Sequence, residues 1–374
     1  MRVWIDGYEA NVKDRLGSSV VAYELLRNIE KMDKNGDYTV VLPSAPFDDL
    51  PKKREGWRYK VLYPRHFWTF LALPFALFTA SKKPDLVFSP THYIPKLSLV
   101  KRIVTIFDLS FLHYPNSFTP KDLWQLKKGT DFSIKNADHI ITISNSTKKD
   151  IIKNYDINEK KITVAYPGYD SFIYKPLISN ESPDDVLKKY NIQQPFVLFV
   201  GTIQPRKNLI RLIDAVSKID NLTLVVVGKH KGEGRAGWMF EDILNHPKKI
   251  GAEEKVKFTG FVPTTELLIL LKQTICLVQP SLWEGFGIPV VEAMACGTPV
   301  VVSNTSSLPE VAGSAGLVVD PNSTDQIEQA IRVLLADKKL REKKAKLGII
   351  QAKKFSWEKM ASTVIKTFVE VSKE

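Results

Sequence analysis

Short β-branched apolar runs alternate with helix-length segments along almost the whole chain, and this alternation limits the fold more than any other feature. It is typical of βα units, in which helices cover a parallel sheet. We predict strands at residues 2–5, 38–42, 60–63, 86–89, 103–107, 139–144 and 162–165, and again at 196–200, 222–227, 256–259, 275–278, 300–302 and 317–319. The sequence therefore predicts an α/β protein with parallel sheets.

The length and one interruption of this pattern predict two domains. A chain of 374 residues is long for a single hydrophobic core. A polar segment at 177–194 separates the two series of strands, and prolines punctuate it. We therefore predict an N-terminal domain at 1–176, a C-terminal domain at 195–356, and a last helix at 357–374. Further helices are predicted at 18–32, 209–219 and 325–336, and residues 338–346 form a polar segment.

The composition is that of a soluble globular protein with an excess of positive charge. Hydrophobic residues make up 44% and charged residues 25%, and the net charge is +12. The two cysteines, Cys276 and Cys296, have apolar neighbours and no metal-ligand spacing, so we expect a reducing compartment. No long apolar stretch follows Met1, and no secretory signal is predicted.

Many of the cations surround an apolar, aromatic segment at 67–80. This segment is shorter than the ~20 residues that cross a bilayer, so it is either a core helix or a helix in a membrane interface. The cations of this region can dock on anionic lipid, or they belong to an ordinary solvated surface. No recognition-helix, zinc-finger or RNA-platform motif supports nucleic-acid binding. The basic residues are Arg54, Arg58, Lys60, Arg65, Lys82, Lys83, Lys96, Lys101 and Arg102.

The most informative motif lies at 274–303, where two acids stand in a predicted strand–loop–helix–strand unit. Glu284 lies in a glycine-punctuated loop, and Glu292 lies near the start of the next helix. Pro289 suits the first turn of that helix, and Gly297 can end it with a positive φ. Free N–H groups at the helix start form an anion-binding terminus. Two acids for hydroxyls beside amides for phosphate are typical of a sugar-nucleotide site.

Two further cations follow the predicted strand at 196–200. Arg206 and Lys207 suit a diphosphate leaving group, since Arg offers a planar fork and Lys a point charge. Asn208 is placed to cap the following helix. The letters Gly-x-Gly-x-x-Gly at 232–237 match a dinucleotide fingerprint, but their position relative to the strand argues against NAD binding.

These motifs together resemble the retaining glycosyltransferases of family 4, which have the GT-B fold. The resemblance runs from Val3 to about Trp357 and rests on ordered cues. They are Gly17, Thr105-Ile-Phe-Asp108, Ser144, Tyr166-Pro-Gly168, Gly201-Thr-Ile-Gln-Pro-Arg206-Lys207-Asn208, Phe258-Thr-Gly-Phe-Val262, and Glu284 and Glu292 with Gly-Phe-Gly after the first. The implied fold is two Rossmann-like domains that face each other across a cleft.

The resemblance also implies roles for individual residues. Arg206 and Lys207 would hold the donor phosphates, Glu284 the hydroxyls of the donor sugar, and Glu292 the ribose. The backbone of Gly285, Phe286, Gly287 and Ile288 would line sugar and phosphate, and Gly17 would let the backbone approach the donor closely. The co-substrate would be a GDP- or UDP-sugar, with no bound cofactor. No cluster with metal spacing is present in the sequence, and we expect metal independence.

One position departs from the family pattern. Many relatives have His-Asp where this chain has Phe107-Asp108. That histidine lies near the reacting sugar carbon, so either His92 or His113 replaces it on the acceptor side, or the site is weak or inactive. Asp108 follows a predicted strand and is a candidate base or orienting residue, or a structural turn residue.

The sequence thus predicts a retaining hexosyltransferase that acts on a glycan or lipid-linked hydroxyl, in bacterial surface polysaccharide synthesis at the cytoplasmic face of the membrane. Two alternatives stay open. One is a degenerate GT-B protein that binds a sugar nucleotide or glycan without turnover. The other is a GT-B enzyme of different chemistry, such as an epimerase or a phosphorylase.

Overall fold

Two parallel sheets organise the protein, for which a computed structural model describes residues 1–176, 182–228 and 240–373. The strands are β1 (Arg2–Asp6), β2 (Asp37–Leu42), β3 (Trp57–Val61), β4 (Leu86–Ser89), β5 (Lys101–Ile106), β6 (His139–Thr142), β7 (Ile162–Val164), β8 (Phe196–Val200), β9 (Thr223–Val227), β10 (Val256–Gly260), β11 (Leu277–Gln279), β12 (Val300–Ser303) and β13 (Leu317–Val319). All their pairings are parallel. The predicted α/β class is confirmed.

Helices connect the strands, as βα units require. They are α1 (Ser18–Met32), α2 (Leu73–Phe78), α3 (Ser110–His113), α4 (Pro120–Asn136), α5 (Asn145–Tyr155), α6 (Pro183–Lys189), α7 (Leu209–Ser217), α8 (Glu241–Lys249), α9 (Thr264–Gln273), α10 (Ile288–Ala295), α11 (Leu308–Ala312), α12 (Thr324–Ala336), α13 (Lys338–Ala352) and α14 (Trp357–Lys373). A π-helical turn, Trp68–Ala72, runs directly into α2.

The chain divides into two compact units. The first, here the N-terminal unit, contains Met1–Leu109, Lys121–Gly168 and Ser356–Glu374. The second, the C-terminal unit, contains Ser110–Pro120 and Tyr169–Phe355. The last helix, α14, therefore belongs to the N-terminal unit, where it packs on α1. Residues 177–181 of the predicted interdomain segment lie outside the described residues.

Both sheets have the same kind of strand order. It is β3-β2-β1-β4-β5-β6-β7 in the N-terminal unit and β10-β9-β8-β11-β12-β13 in the C-terminal unit. In each sheet the order reverses next to the first strand, between β1 and β4 and between β8 and β11. Doubly wound sheets bind ligands at this switch point, outside the carboxyl ends of the strands. The loops after β8 and β11 therefore mark the place for a ligand in the C-terminal unit.

Buried apolar strands explain why each sheet forms. Every residue of β9 is buried, and β12 and β4 are buried along their whole length. Such continuous apolar runs are expected where helices cover both faces of a sheet. In the C-terminal unit the core contains Phe199, Leu212 and their neighbours on α7, α12 and the sheet.

Two of the differences between the predicted and the observed elements have a clear structural reason. The third strand starts at Trp57, three residues before the predicted start at 60, because Trp57 pairs with Tyr38 and its ring packs on the Tyr38 ring at 5.4 Å. The polar segment at 338–346 forms most of α13. The helix is capped by the preceding Asp337, whose side chain accepts from the Leu340 N–H at 2.9 Å. Few apolar residues mark its buried side, so its periodicity is weak in the sequence.

Candidate functional site

The predicted phosphate-binding cations and Glu284 meet at the switch point of the C-terminal sheet. A 3₁₀ turn, Pro205–Lys207, follows β8, and Glu284 lies in the loop after β11. The Leu282 N–H donates to the Arg206 carbonyl at 2.8 Å, so the two loops are joined by their backbones. The arrangement brings Glu284 together with Arg206 and Lys207, which lie 78 and 77 residues before it in the sequence.

Glu284 is the centre of a buried hydrogen-bonded cluster. Its Oε1 accepts from the Lys207 ammonium, and its Oε2 lies 3.2 Å from Nη1 of Arg206. Gln279 Nε2 and Ser281 Oγ donate to Oε1 at 3.1 and 2.9 Å. The side chain of Glu284 is 8% exposed and that of Lys207 is 10% exposed. A buried charge needs partners of this kind, because burial alone costs several kcal/mol per ion.

The electrostatics of this cluster follow from one acid and two cations. Burial raises the pKa of Glu284, but the charges of Lys207 and Arg206 outweigh it and lower the pKa to about 2. Glu284 is therefore ionised at neutral pH. One negative and two positive charges leave a net charge of +1, which favours an anionic ligand. Arg206 also donates to the Trp283 carbonyl at 2.7 Å, so its guanidinium is held in a fixed direction.

The loop that carries Glu284 is held from the other side by two serines. The Glu284 N–H donates to Ser306 Oγ at 2.9 Å, and Ser307 Oγ donates to the carbonyls of Glu284 and Phe286 at 3.0 and 2.9 Å. At Gly287, φ is +105°, which favours glycine, and a Cβ there would lie 2.7 Å from Leu308. The loop conformation thus depends on Gly287.

The start of α10 has the features predicted from the sequence. Pro289 stands in its first turn, and Gly287 precedes the helix without a side-chain cap. Gly297 follows the helix with φ +81°, as expected for a residue that ends it. The first N–H groups of a helix have no intrahelical acceptor, so this start presents donors and a positive dipole end beside Glu284.

Glu292 lies one turn into α10 and has a different environment from Glu284. Burial raises its pKa to about 7, although a hydrogen bond from Tyr174 lowers it in part. The same contact, together with burial, raises the pKa of Tyr174. With no cation among the causes of its shift, Glu292 is near half-ionised at neutral pH. The two acids of the motif therefore carry different charge at the same pH.

Asn208 precedes α7 at the predicted N-cap position, but its side chain has a different role from the predicted one. It adopts a left-handed conformation at φ 61°, and its side chain makes no capping hydrogen bond to α7. Its Nδ2 instead donates to the carbonyls of Pro280 and Pro321 at 3.0 and 2.6 Å. Asn208 does stand at the N-cap position of α7, as predicted, but its side chain ties the cation turn to the loops after β11 and β13 and does not cap the helix.

Of the two histidines predicted on the acceptor side, His113 lies next to the Glu284 loop. Its ring stacks on Trp283 with centroids 3.9 Å apart and an interplanar angle of 20°. Both residues belong to the C-terminal unit, since Ser110–Pro120 is part of it. The stack places His113 against Trp283, the residue that directly precedes Glu284. Nothing in the spacing of the sequence indicated this contact.

The other predicted residues lie in the N-terminal unit. Asp108 follows β5, and the ring of the preceding Phe107 lies 5.3 Å from that of His92. Phe107 is buried, and its carbonyl accepts from Thr147 Oγ1 at 2.9 Å. Gly17 precedes α1 with φ 55°, and no atom lies within 4 Å of a Cβ placed on it. Its backbone conformation, rather than crowding by the described residues, is what favours glycine there.

Sequence reasoning missed the polar partners that support the cluster. Gln279 and Ser281 stand five and three residues before Glu284, so their proximity had a local signal. Ser306 and Ser307 come from the loop after β12 and had none. The glycine motif at 232–237 lies outside the described residues. Across the described part of the chain, no three His, Cys, Asp or Glu side chains are grouped as a metal site requires.

The architecture of the two sheets matches that of solved structures with the GT-B fold. A sucrose-phosphate synthase from Thermosynechococcus elongatus aligns over 99% of this chain and 98% of its own, with a TM-score of 0.78 and 18% identity. WaaG, a glycosyltransferase involved in lipopolysaccharide biosynthesis, aligns over 97% and 98% with a TM-score of 0.72 and 18% identity. At this identity the likeness shows the fold, which is therefore GT-B.

Sequence comparison identifies the family. Residues 184–372 match Glycosyl transferases group 1, and residues 16–171 match Glycosyltransferase Family 4. An O-antigen chain mannosyltransferase B from Escherichia coli is 33% identical over 322 residues, which cover 83% of this chain and 78% of the relative. The O-antigen chain mannosyltransferase RfbU of Salmonella typhimurium is 30% identical over 80% and 77%. The chain belongs to the group 1 glycosyltransferases, and its first half is of the family 4 type.

Proposed function

We propose that the protein transfers a hexose from a nucleotide-diphosphate sugar to a hydroxyl group, with retention of the anomeric configuration. The observation that carries this proposal is the buried cluster of Arg206, Lys207 and Glu284 at the switch point of the C-terminal sheet. It has a positive net charge and lies beside the uncapped start of α10. Both features suit a diphosphate.

In this reaction the bond between the anomeric carbon and the diphosphate oxygen breaks, and the acceptor oxygen bonds to the same carbon on the same face. The acceptor proton passes to the leaving phosphate oxygen. Negative charge grows on the diphosphate as the bond breaks, so Arg206 and Lys207 stabilise the transition state most. Because these two cations can supply the charge that a metal supplies elsewhere, we propose that transfer is metal-independent.

The donor would be held by the remaining residues of the motif. Glu284 accepts from the sugar hydroxyls, Glu292 accepts from the ribose, and Gly285, Phe286, Gly287 and Ile288 line the sugar and phosphate. Gly17 stays a predicted donor-binding residue and Asp108 a predicted catalytic residue, both carried by the N-terminal unit. A GDP- or UDP-sugar is the proposed co-substrate, with no bound cofactor. Mannosyltransferases among the relatives favour a mannosyl donor. HepE, of similar fold, was solved with UDP and with UDP-glucose.

His113 is the proposed replacement for the histidine that Phe107 displaces. It stacks on Trp283 beside Glu284, whereas the His92 ring packs near Phe107 itself. A ring held on Trp283 is fixed in direction next to the donor cluster. This position favours His113 over His92 as the residue that faces the reacting sugar.

The proposed acceptor is a glycan or lipid-linked glycan in O-antigen or lipopolysaccharide synthesis, at the cytoplasmic face of the membrane. Relatives named as O-antigen chain mannosyltransferases support this setting. So do the cations around residues 67–80. No helix among the described residues is long and apolar enough to cross a bilayer. The degenerate alternative is not favoured, because the ionic cluster is complete.

The test is a transfer assay with GDP-mannose and UDP-hexoses, a membrane glycolipid fraction as acceptor, and a chelator in every sample. We expect transfer from the sugar donors of one nucleotide class only. NMR of the product should show an α-linkage when the donor is α-linked. Inversion would overturn the retaining mechanism, and activity only after metal addition would overturn metal independence. Nucleotide binding without transfer or hydrolysis would favour the degenerate alternative.

A further inference from the structure

A helix in the N-terminal unit is apolar on its outer side as well as its inner side. It consists of the turn Trp68–Ala72 and α2, and four of its aromatic and aliphatic side chains, with Phe67 before it, are more than half exposed. A surface helix normally presents polar residues to water, and one that is apolar all round is either buried or in contact with lipid. The exposed residues are Phe67 (68%), Phe70 (57%), Leu71 (55%), Phe75 (68%) and Phe78 (69%).

The inner side of this helix is fixed to the core. Leu73 and Leu77 pack with Trp4 and Val87 in one buried cluster. Trp68 donates from Nε1 to the buried Asp6 carboxylate at 3.0 Å. The outer side chains therefore cannot rotate inward without breaking this packing. Their exposure is a fixed property of the folded unit.

The loop between β4 and β5 extends the same surface. The Lys96 N–H donates to the Thr69 carbonyl at 2.8 Å, which holds this loop against the helix. Leu97 and Leu99, which follow Lys96, are 75% and 73% exposed. The Lys96 ammonium lies 5.1 Å from the Phe70 ring centroid. The outer apolar surface, defined here as Phe67, Phe70, Leu71, Phe75, Phe78, Leu97 and Leu99, is thus built from two connected segments.

The part of the chain that carries this outer apolar surface is rich in positive charge. Residues 59–102 contain seven Lys or Arg and a single acid, Asp85. Lys82 and Lys83 are exposed directly beyond α2, and the Lys83 ammonium lies 5.9 Å from the Phe78 ring. Apolar surfaces of this kind mark sites of contact with a membrane or another protein. The excess of cations favours an anionic partner.

We propose that the outer apolar surface docks on a bilayer that contains anionic phospholipid. The helix of 68–78 would lie in the membrane plane, with its aromatic side chains among the headgroups and upper acyl chains and with Lys82 and Lys83 at the phosphates. Eleven residues span only about 16 Å, which is too short to cross a bilayer but suits an interfacial helix. This inference specifies how the protein would bind the membrane of the proposed function, and it rests on that function for the choice of a membrane as the partner.

A small cavity opens at the edge of the outer apolar surface, next to Phe70. Its volume is about 130 Å³, and Tyr93, Trp124, Lys96 and Lys128 contribute to its walls. The Lys96 ammonium lies 3.5 Å from the Phe132 ring centroid, so it is held over an aromatic face. Aromatic rings with lysines between them suit the zone where headgroups meet acyl chains.

The test is co-sedimentation of the whole protein with phosphatidylcholine vesicles and with vesicles that also contain phosphatidylglycerol. We expect binding to the anionic vesicles. The F75S/F78S variant should lose most of it, whereas I350S, at an equally exposed position on α13, should keep it. K82Q/K83Q should weaken it about 25-fold, since each cation contributes about fivefold, and the matched K338Q/K339Q should not.

Two other outcomes would overturn the inference. Equal binding to neutral and anionic vesicles would show that charge has no part in it. No vesicle binding, together with a wild-type dimer that F75S/F78S converts to a monomer in sedimentation velocity, would assign the surface to a second copy of the chain. A thermal-shift titration with nucleotide sugars separates this test from the donor site, because all these variants should keep the wild-type nucleotide response.

Discussion

The Lys207 ammonium donates to Oε1 of Glu284, and both side chains are about nine-tenths buried. The two residues come from loops after neighbouring strands at the switch point of the C-terminal sheet. The pair therefore has both a structural and a functional consequence. It fixes the two loops together, and it leaves the Arg206 charge in excess for an anionic ligand.

Breaking this pair from one side should destabilise the C-terminal unit. In Glu284→Gln the buried Lys207 charge loses its anion, which costs about 3–5 kcal/mol for pairs of this kind. Lys207→Met should cost a similar amount. The double variant should be less destabilised than the sum of the two, by at least about 1 kcal/mol, because neither charge is then left alone. Denaturant unfolding measures all three.

The matched control for this cycle is the more exposed pair of Lys189 and Glu266 in the same unit. The corresponding variants there should change the unfolding free energy by no more than about 1 kcal/mol. Additive effects of Lys207→Met and Glu284→Gln would contradict the coupling between those residues.

The low pKa of Glu284 predicts an acid dependence of stability. Its folded pKa of about 2 lies below the model-compound value of 4.5, so its contribution is complete above pH 4.5 and is lost as the pH falls towards 2. The wild type should lose up to about 3 kcal/mol through this residue. Unfolding midpoints at pH 7, 4 and 3 should therefore converge between the wild type and Glu284→Gln. A constant difference over this range would refute the assignment.

The raised pKa of Glu292 predicts that donor binding depends on pH near neutrality. Its pKa is raised to about 7, and the carboxylate can accept from the ribose hydroxyls with both oxygens, whereas the protonated acid keeps one oxygen as a donor. Affinity should therefore rise about tenfold from pH 6 to pH 8, as the ionised fraction of Glu292 rises. Calorimetric titration with a nucleotide sugar is suitable, because its diphosphate does not titrate in this range. Glu292→Gln should bind with no such slope, and a flat wild-type profile would exclude the proposed role.

His113 should contribute to transfer through its imidazole as well as through its stack on Trp283. His113→Phe keeps an aromatic ring on Trp283, so its thermal stability should stay close to that of the wild type. Its kcat should nevertheless fall on the order of 10²-fold, as after loss of one polar group at a reacting centre. His92→Phe, in the N-terminal unit, should lower kcat far less. If His113→Phe kept the wild-type kcat, His113 would have only a packing role.

Much of the fold was predictable because buried strands and helix starts leave local signals. The predicted strand at 196–200 coincides with β8, and the predicted helix at 18–32 coincides with α1. Pro289 and Gly297 marked the ends of α10 correctly. The start of β3 was missed because it depends on Trp57 pairing with Tyr38, a contact between distant parts of the chain.

The candidate site was predictable in its residues but not in its contacts. The sequence singled out Glu284, Arg206 and Lys207, yet nothing local showed that the acid pairs directly with both cations. Asn208 is of a residue type that favours helix N-caps, but its side chain donates hydrogen bonds to the carbonyls of Pro280 and Pro321. The stack of His113 on Trp283 joins residues 170 positions apart in the numbering, so only the tertiary fold reveals it.

The most direct test of the donor site is calorimetric titration of GDP- and UDP-sugars into the wild type and into the double variant K207M/E284Q. This variant removes both buried charges, so it should stay folded by circular dichroism. Our account predicts that one nucleotide class binds the wild type and that the double variant loses at least about tenfold in affinity, while K189M/E266Q loses none. Unchanged affinity in the folded K207M/E284Q variant would contradict the assignment of Arg206, Lys207 and Glu284 as the diphosphate site.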